Sequence, residues 1–171
     1  MFTELTEMLE ERHSFDLVDR VQLRAGLDGV WTAVGTYPDD AFYRYVVAAC
    51  KETEEPPERL IHAFGAHMAN RFLRRFPDVF ADVTEGFDVF ERLESRVHPE
   101  LAKLWPDARM PRFSPTRTPD GLEVHYVSER IPPSFALGLV DAMFLAFGPP
   151  VVVTSVAAPP NGTLFHIRRA A

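Results

Sequence analysis

Midway along the chain the spacing of apolar residues changes period, and this change limits the possible folds more than any other feature. As far as Leu101 the apolar residues recur every three or four positions, as on one face of a helix. From Arg112 they alternate, as on a strand. The switch lies inside the stretch 97–130. There His98 is followed by Pro99, which lacks an N–H and suits the first position of a new short helix better than the interior of a running one. Trp105-Pro106-Asp107-Ala108 and Met110-Pro111-Arg112-Phe113 then lead into the alternating segment. Helices first and antiparallel strands afterwards predict an α+β fold.

The helical part divides at its prolines and glycines. Phe2, Leu5, Met8 and Leu9 form an apolar stripe with Glu4, Glu7, Glu10 and Glu11 outside it. A second short helix runs from about Asp16, with Leu17, Val18, Val21 and Leu23, and stops at Gly26. Residues 27–37 carry no sustained period and read as an ordered loop that Trp31 pins to the core. Pro38 opens the next helix, with apolar residues from Phe42 to Cys50. After Pro56-Pro57 comes a strong stripe of Leu60, Ile61, Phe64, Met68, Phe72 and Leu73, broken at Pro77, with Phe80 sealing the corner. A further helix follows Thr84-Glu85, with Phe87, Phe90 and Leu93 inward.

Beyond the switch, 112–118, the turn Pro119-Asp120-Gly121 and 122–129 read as a hairpin. A last helix opens at Pro132-Pro133-Ser134, buries Phe135, Leu139, Val140, Met143 and Phe147, and closes at Gly148-Pro149. A second hairpin pairs 151–156 with 163–168 around Pro159-Pro160-Asn161-Gly162.

Composition narrows the function classes. The 171 residues suit one domain with a core large enough for a cofactor, and 46% hydrophobic content argues against disorder. A net charge of −7 disfavours binding to nucleic acid or anionic membranes. A single cysteine, Cys50, makes no internal disulfide and fits a reducing compartment. The start lacks the basic and long apolar regions of a signal peptide, and 135–153 is too interrupted to span a bilayer, so the expectation is a soluble, cytoplasmic protein. Nucleophile–base pairs, Gly-rich phosphate loops and paired carboxylates are not visible, so an enzyme is not expected. Nor do the histidines show zinc-site spacing with Cys or carboxylate.

Two features carry chemistry. Tyr126, Ser128 and Arg130 alternate, and on a strand they would present two hydroxyls and a guanidinium in one row, a set suited to carboxylates. His98, at the helix junction, is a candidate metal ligand through a neutral imidazole. His62 and His67 do not share a helical face, and His125 alternates away from Tyr126 and Ser128.

These residues, in this order, resemble the haem nitric oxide/oxygen binding (H-NOX) family, which includes the haem domain of soluble guanylate cyclase. The resemblance covers nearly the whole chain, including 28–38 and Arg75-Phe76-Pro77, and its specific part is Tyr126-x-Ser128-x-Arg130 downstream of His98 and Pro111. It implies one domain over 1–171, with a distal helical part to about residue 57 and a proximal part with an antiparallel sheet from about 58. It also implies haem b, the iron complex of protoporphyrin IX, ligated by His98. Tyr126, Ser128 and Arg130 would hold the propionates, and Pro111 would press on the porphyrin. Leu5, Ile61, Met68, Phe72, Phe135 and Leu139 would line the distal side.

Oxygen-binding members place a tyrosine where this chain has Phe135, which cannot donate a hydrogen bond. The expectation is therefore a sensor of nitric oxide and carbon monoxide, not of oxygen. In that reading nitric oxide weakens the bond to His98 and lets the His98 helix relax. The chain departs from the family at Leu5 and Val18, where many members have Trp, and at Met1, near a usual aliphatic contact. With no output domain in 171 residues, the signal would pass to a separate protein, such as a histidine kinase or a cyclic-di-GMP enzyme. The alternative is a haem-free domain of the same fold that serves as an interaction module or binds another ligand.

Overall fold

The computed structural model describes residues 1–27, 29, 39–104, 109–159 and 162–170. The expected loop with Trp31, Pro38, the Trp105 segment and Pro160-Asn161 therefore lie outside the described residues. Among the described residues, seven α-helices and four strands follow in the order α1 (Phe2–Arg12), α2 (Phe15–Ala25), α3 (Asp39–Thr53), α4 (Pro57–Arg75), α5 (Gly86–Arg92), α6 (His98–Leu104), β1 (Arg112–Thr118), β2 (Gly121–Val127), α7 (Pro133–Phe147), β3 (Val151–Ala158) and β4 (Gly162–Arg169). A 3-10 turn at Pro77–Phe80 follows α4. The strands form one antiparallel sheet in the order β1-β2-β4-β3, so two hairpins adjoin through β2 and β4. No described helix is long and apolar enough to cross a membrane.

Local chemistry sets the helix ends. Ser14 caps α2 by accepting the Leu17 N–H at 3.2 Å, and Gly26 ends the helix with φ of 66°. At the start of α5 the Asp88 carboxylate accepts from the Thr84 hydroxyl at 2.7 Å, the Thr84 N–H at 2.9 Å and the Glu85 N–H at 3.1 Å. The Thr84 hydroxyl, first among these influences, holds Asp88 below the usual carboxylate range. A carboxyl favoured as its ion in the fold contributes stability above its ordinary pKa and loses it as pH falls through the lowered value. Asp88→Ala is expected to cost about 1 kcal/mol at neutral pH, and less in acid, by urea denaturation.

The apolar residues separate into two clusters. One gathers α1, α2, α3 and the first half of α4, with Phe135 reaching in from α7. The other holds Ala69, Phe80, α5, Val97, Leu101, the inner face of the sheet and the rest of α7. Phe72 and Leu139 pack against both. The helices α4 and α7 connect the clusters, and their backbones touch where Gly65 faces the Phe135 carbonyl and Gly138 faces the His62 carbonyl. Leu23 departs from its expected place and is exposed, because the buried face of α2 continues from Leu17, Val18 and Val21 to Ala25.

Candidate functional site

The helix junction at His98 has a form that the proline only partly foretold. Leu93–Val97 is one turn of π-helix joining α5 to α6, and the His98 N–H bonds the Leu93 carbonyl across it. His98 itself is the first residue of α6, with Pro99 the second. A wide turn ahead of Pro99 relieves the clash that its ring makes with the carbonyl four residues back, so the helical path continues without a break. Val97 and Leu101 anchor this segment in the core. A narrow gap of about 10 Å³ between them and Phe72 and Phe76 of the α4 end leaves the packing there incomplete.

The His98 side chain is 14% exposed and lies edge-on to Phe113, with ring centroids 6.1 Å apart. Its Nδ1 is 3.3 Å from Glu94 Oε2. The other oxygen of Glu94 accepts the Phe113 N–H at 2.7 Å. One carboxylate thus bridges the imidazole and the start of β1. An imidazole whose Nδ1 faces a carboxylate keeps its proton there and leaves the Nε2 lone pair for a metal. Glu94 did not stand out in the sequence. Its signal was there in the four-residue spacing from His98, which puts two side chains on one helix face.

The row of Tyr126, Ser128 and Arg130 needs a correction. β2 ends at Val127, so only Tyr126 is in the strand, and the chain turns over 128–131 into α7. The turn is closed by the Ser128 hydroxyl oxygen, which accepts from the Arg130 N–H at 3.3 Å and the Ile131 N–H at 3.0 Å. Tyr126 is buried and donates its hydroxyl to the Ile131 carbonyl at 2.7 Å. Burial pushes its pKa up to about 12. The three residues still converge, on a cleft of about 290 Å³ lined also by Pro132, Gly162 and Thr163. The Ser128 hydroxyl also bonds the Tyr126 side chain, and Arg130 is exposed at the cleft. Tyr126 would have to give up Ile131 to donate to a ligand.

The six apolar distal candidates come together. Leu5, Met68 and Phe135 are buried in the first cluster, and Ile61 packs against it. Phe72 and Leu139 touch both clusters. Phe135 meets Phe64 with ring centroids 5.5 Å apart. Pro111 is half-buried just ahead of β1, close in sequence to Phe113, which touches both His98 and Tyr126.

The donor set suits a haem in kind. A mostly buried imidazole oriented by a carboxylate fits the iron, a guanidinium with a hydroxyl fits the propionates, and the apolar residues around Phe72 and Leu139 fit the macrocycle. A family model described as Haem-NO-binding matches residues 1–155. The chain belongs to this family.

The family consists of haem-binding gas-sensor domains, known as H-NOX, and solved members share the fold. The Fe(II) unliganded H-NOX protein from K. algicida superposes with a TM-score of 0.85 at 23% identity, covering 99% of this chain and 95% of that one. The Fe(II)NO form of an S. oneidensis H-NOX protein gives 0.88 at 17%, covering 99% and 97%. The IWP-051-bound H-NOX from Shewanella woodyi in its Fe(II)CO state gives 0.83 at 26%, covering 99% and 92%. No curated protein matches the chain. Helices followed by an antiparallel sheet agree with the α+β expectation.

Proposed function

We propose that this H-NOX domain, a single unit over 1–171, is a sensor of nitric oxide and carbon monoxide that uses haem b and signals to a separate protein. The supporting observation is Glu94, which orients the His98 imidazole with one oxygen and holds the first strand of the sheet with the other. Haem iron supplies the position at which a diatomic gas binds. In this reading His98 would hold the iron, and Arg130, Ser128 and Tyr126 would hold the propionates. Pro111 would lie against the porphyrin. A displacement of the His98 imidazole would reach Phe113 and β1 through Glu94, which contacts both. A histidine kinase or a cyclic-di-GMP enzyme is the kind of protein that would read this shift.

Gas preference rests on the distal lining of Leu5, Ile61, Met68, Phe72, Phe135 and Leu139, none of which carries a strong donor. The same cluster holds the Tyr45 hydroxyl, which is engaged with Thr6 Oγ1 at 2.9 Å. Bound oxygen is polar and relies on a donor in a dry pocket, while nitric oxide and carbon monoxide do not. The ferrous protein is expected to shift its Soret band under nitric oxide and under carbon monoxide and to form no stable oxygen complex in air. An oxygenated spectrum that persists in air would overturn the selectivity.

A further inference from the structure

The sequence shows no metal-ligand spacing among its histidines, but the fold brings together residues more than fifty positions apart at the α1–α4 contact. Glu4, Glu7 and Glu11 lie on one face of α1, and His67 and Arg71 lie opposite on α4. We propose that Glu4, Glu7 and His67 form a binding site for a borderline first-row divalent cation such as Zn²⁺, with Glu11 orienting the histidine.

The first argument is convergence. One carboxylate oxygen from each glutamate and one ring nitrogen of His67 all lie within 4.8 Å of one another. Zinc bonds of about 2.1 Å put tetrahedral ligands about 3.4 Å apart, so the three need to close by about 1.4 Å at most. Glutamate side chains reach that by rotation alone.

The second argument is the state of His67. Its side chain is only 8% exposed, yet Nε2 is buried with no hydrogen-bond partner and lies 3.9 Å from Glu4 Oε2. A buried polar atom without a partner carries a desolvation cost, and a cation shared with Glu4 would remove it. Nδ1 lies 3.6 Å from Oε2 of the exposed Glu11, just beyond hydrogen-bond distance, and a small rotation of that side chain would let its carboxylate accept from Nδ1–H while Nε2 faces the metal.

Arg71 is the competitor. Its guanidinium lies between Glu4 Oε2 at 3.0 Å and Glu7 Oε2 at 2.9 Å. Among the side chains at this contact, one guanidinium faces three carboxylates, which leaves an excess of negative charge. Arg71 is partly exposed and can turn to solvent when a divalent ion takes the carboxylates. The site would tie α1 to α4 in the distal half of the domain, independently of the haem contacts at His98 and Arg130.

The test is calorimetric titration of the haem-loaded protein with Zn²⁺. One-to-one binding is expected, weakened about ten-fold or more by His67→Gln and by Glu4→Gln, and unchanged by His62→Ala, a control on the same helix. Arg71→Gln removes the competing cation and is expected to tighten binding, a change that merely structural damage would not give. If Arg71→Gln leaves affinity unchanged or weaker, if His67→Gln binds as tightly as the parent, or if no one-to-one binding occurs, the site is refuted. Far-UV circular dichroism of each variant separates lost binding from lost folding.

Discussion

Replacing His98 by alanine or glycine is expected to give a folded protein that is purified nearly free of haem, its Soret band lost and restored when imidazole is added. Beyond its contact with Glu94, which keeps its bond to Phe113, the side chain offers the fold one edge contact with Phe113, worth about 1 kcal/mol. The neighbouring residues Val97 and Leu101, which anchor the segment, stay in place. The loss should therefore fall on haem retention, and imidazole in solution can refill the space because the π turn and Glu94 remain. Glu94→Gln is the finer probe. Its amide oxygen can still accept from Phe113, but its NH₂ facing Nδ1 favours the tautomer with the proton on Nε2, the atom that should ligate. Haem retention about 10–100-fold weaker is expected, with the fold intact. If the alanine variant kept its Soret band, another residue would be the ligand and the proposed route through Glu94 to β1 would fall.

How much of this could be read in advance follows from the range of each interaction. The period switch at Arg112, the Pro119-Asp120 turn and the Pro-opened α7 were legible because they rest on contacts between residues close in sequence. The six apolar distal candidates were legible as core residues but not as one surface, since that depends on how α4 meets α7. The alternation of Tyr126, Ser128 and Arg130 was read as a strand pattern, but the Ser128 hydroxyl bonds two backbone N–H groups and stops the strand at Val127. Period alone does not reveal a side chain competing with the ladder for backbone groups. His67 shares no helical face with His62, so the sequence offers no reason to pair it. Its partners turned out to lie on α1, in contacts no local spacing encodes.

Gly138→Ala is expected to be strongly destabilising for a change of one methyl group. An added Cβ would drive into the His62 carbonyl and lie 2.9 Å from the Ala66 N–H nitrogen, and a helix backbone cannot swing aside as a side-chain tip can. Gly65→Ala meets the same obstacle from the other helix, at the Phe135 carbonyl. Alanine gains about 1 kcal/mol over glycine in helix propensity. Overpacking typically costs about 1–3 kcal/mol and here acts on backbone, so the cost should reach or exceed the top of that range. A net loss of about 2 kcal/mol or more is expected for each variant, a large share of a typical domain's stability and measurable as a lower urea midpoint. Both substitutions force the same separation of α4 from α7, so the double variant should lose less than the two single losses combined. The separation would also move Met68 and Phe72 on α4 away from Phe135 and Leu139 on α7, so the haem spectrum under carbon monoxide should change along with stability. Additive losses with an unchanged spectrum would mean that the two glycines relax independently and that the helix crossing does not set the distal wall.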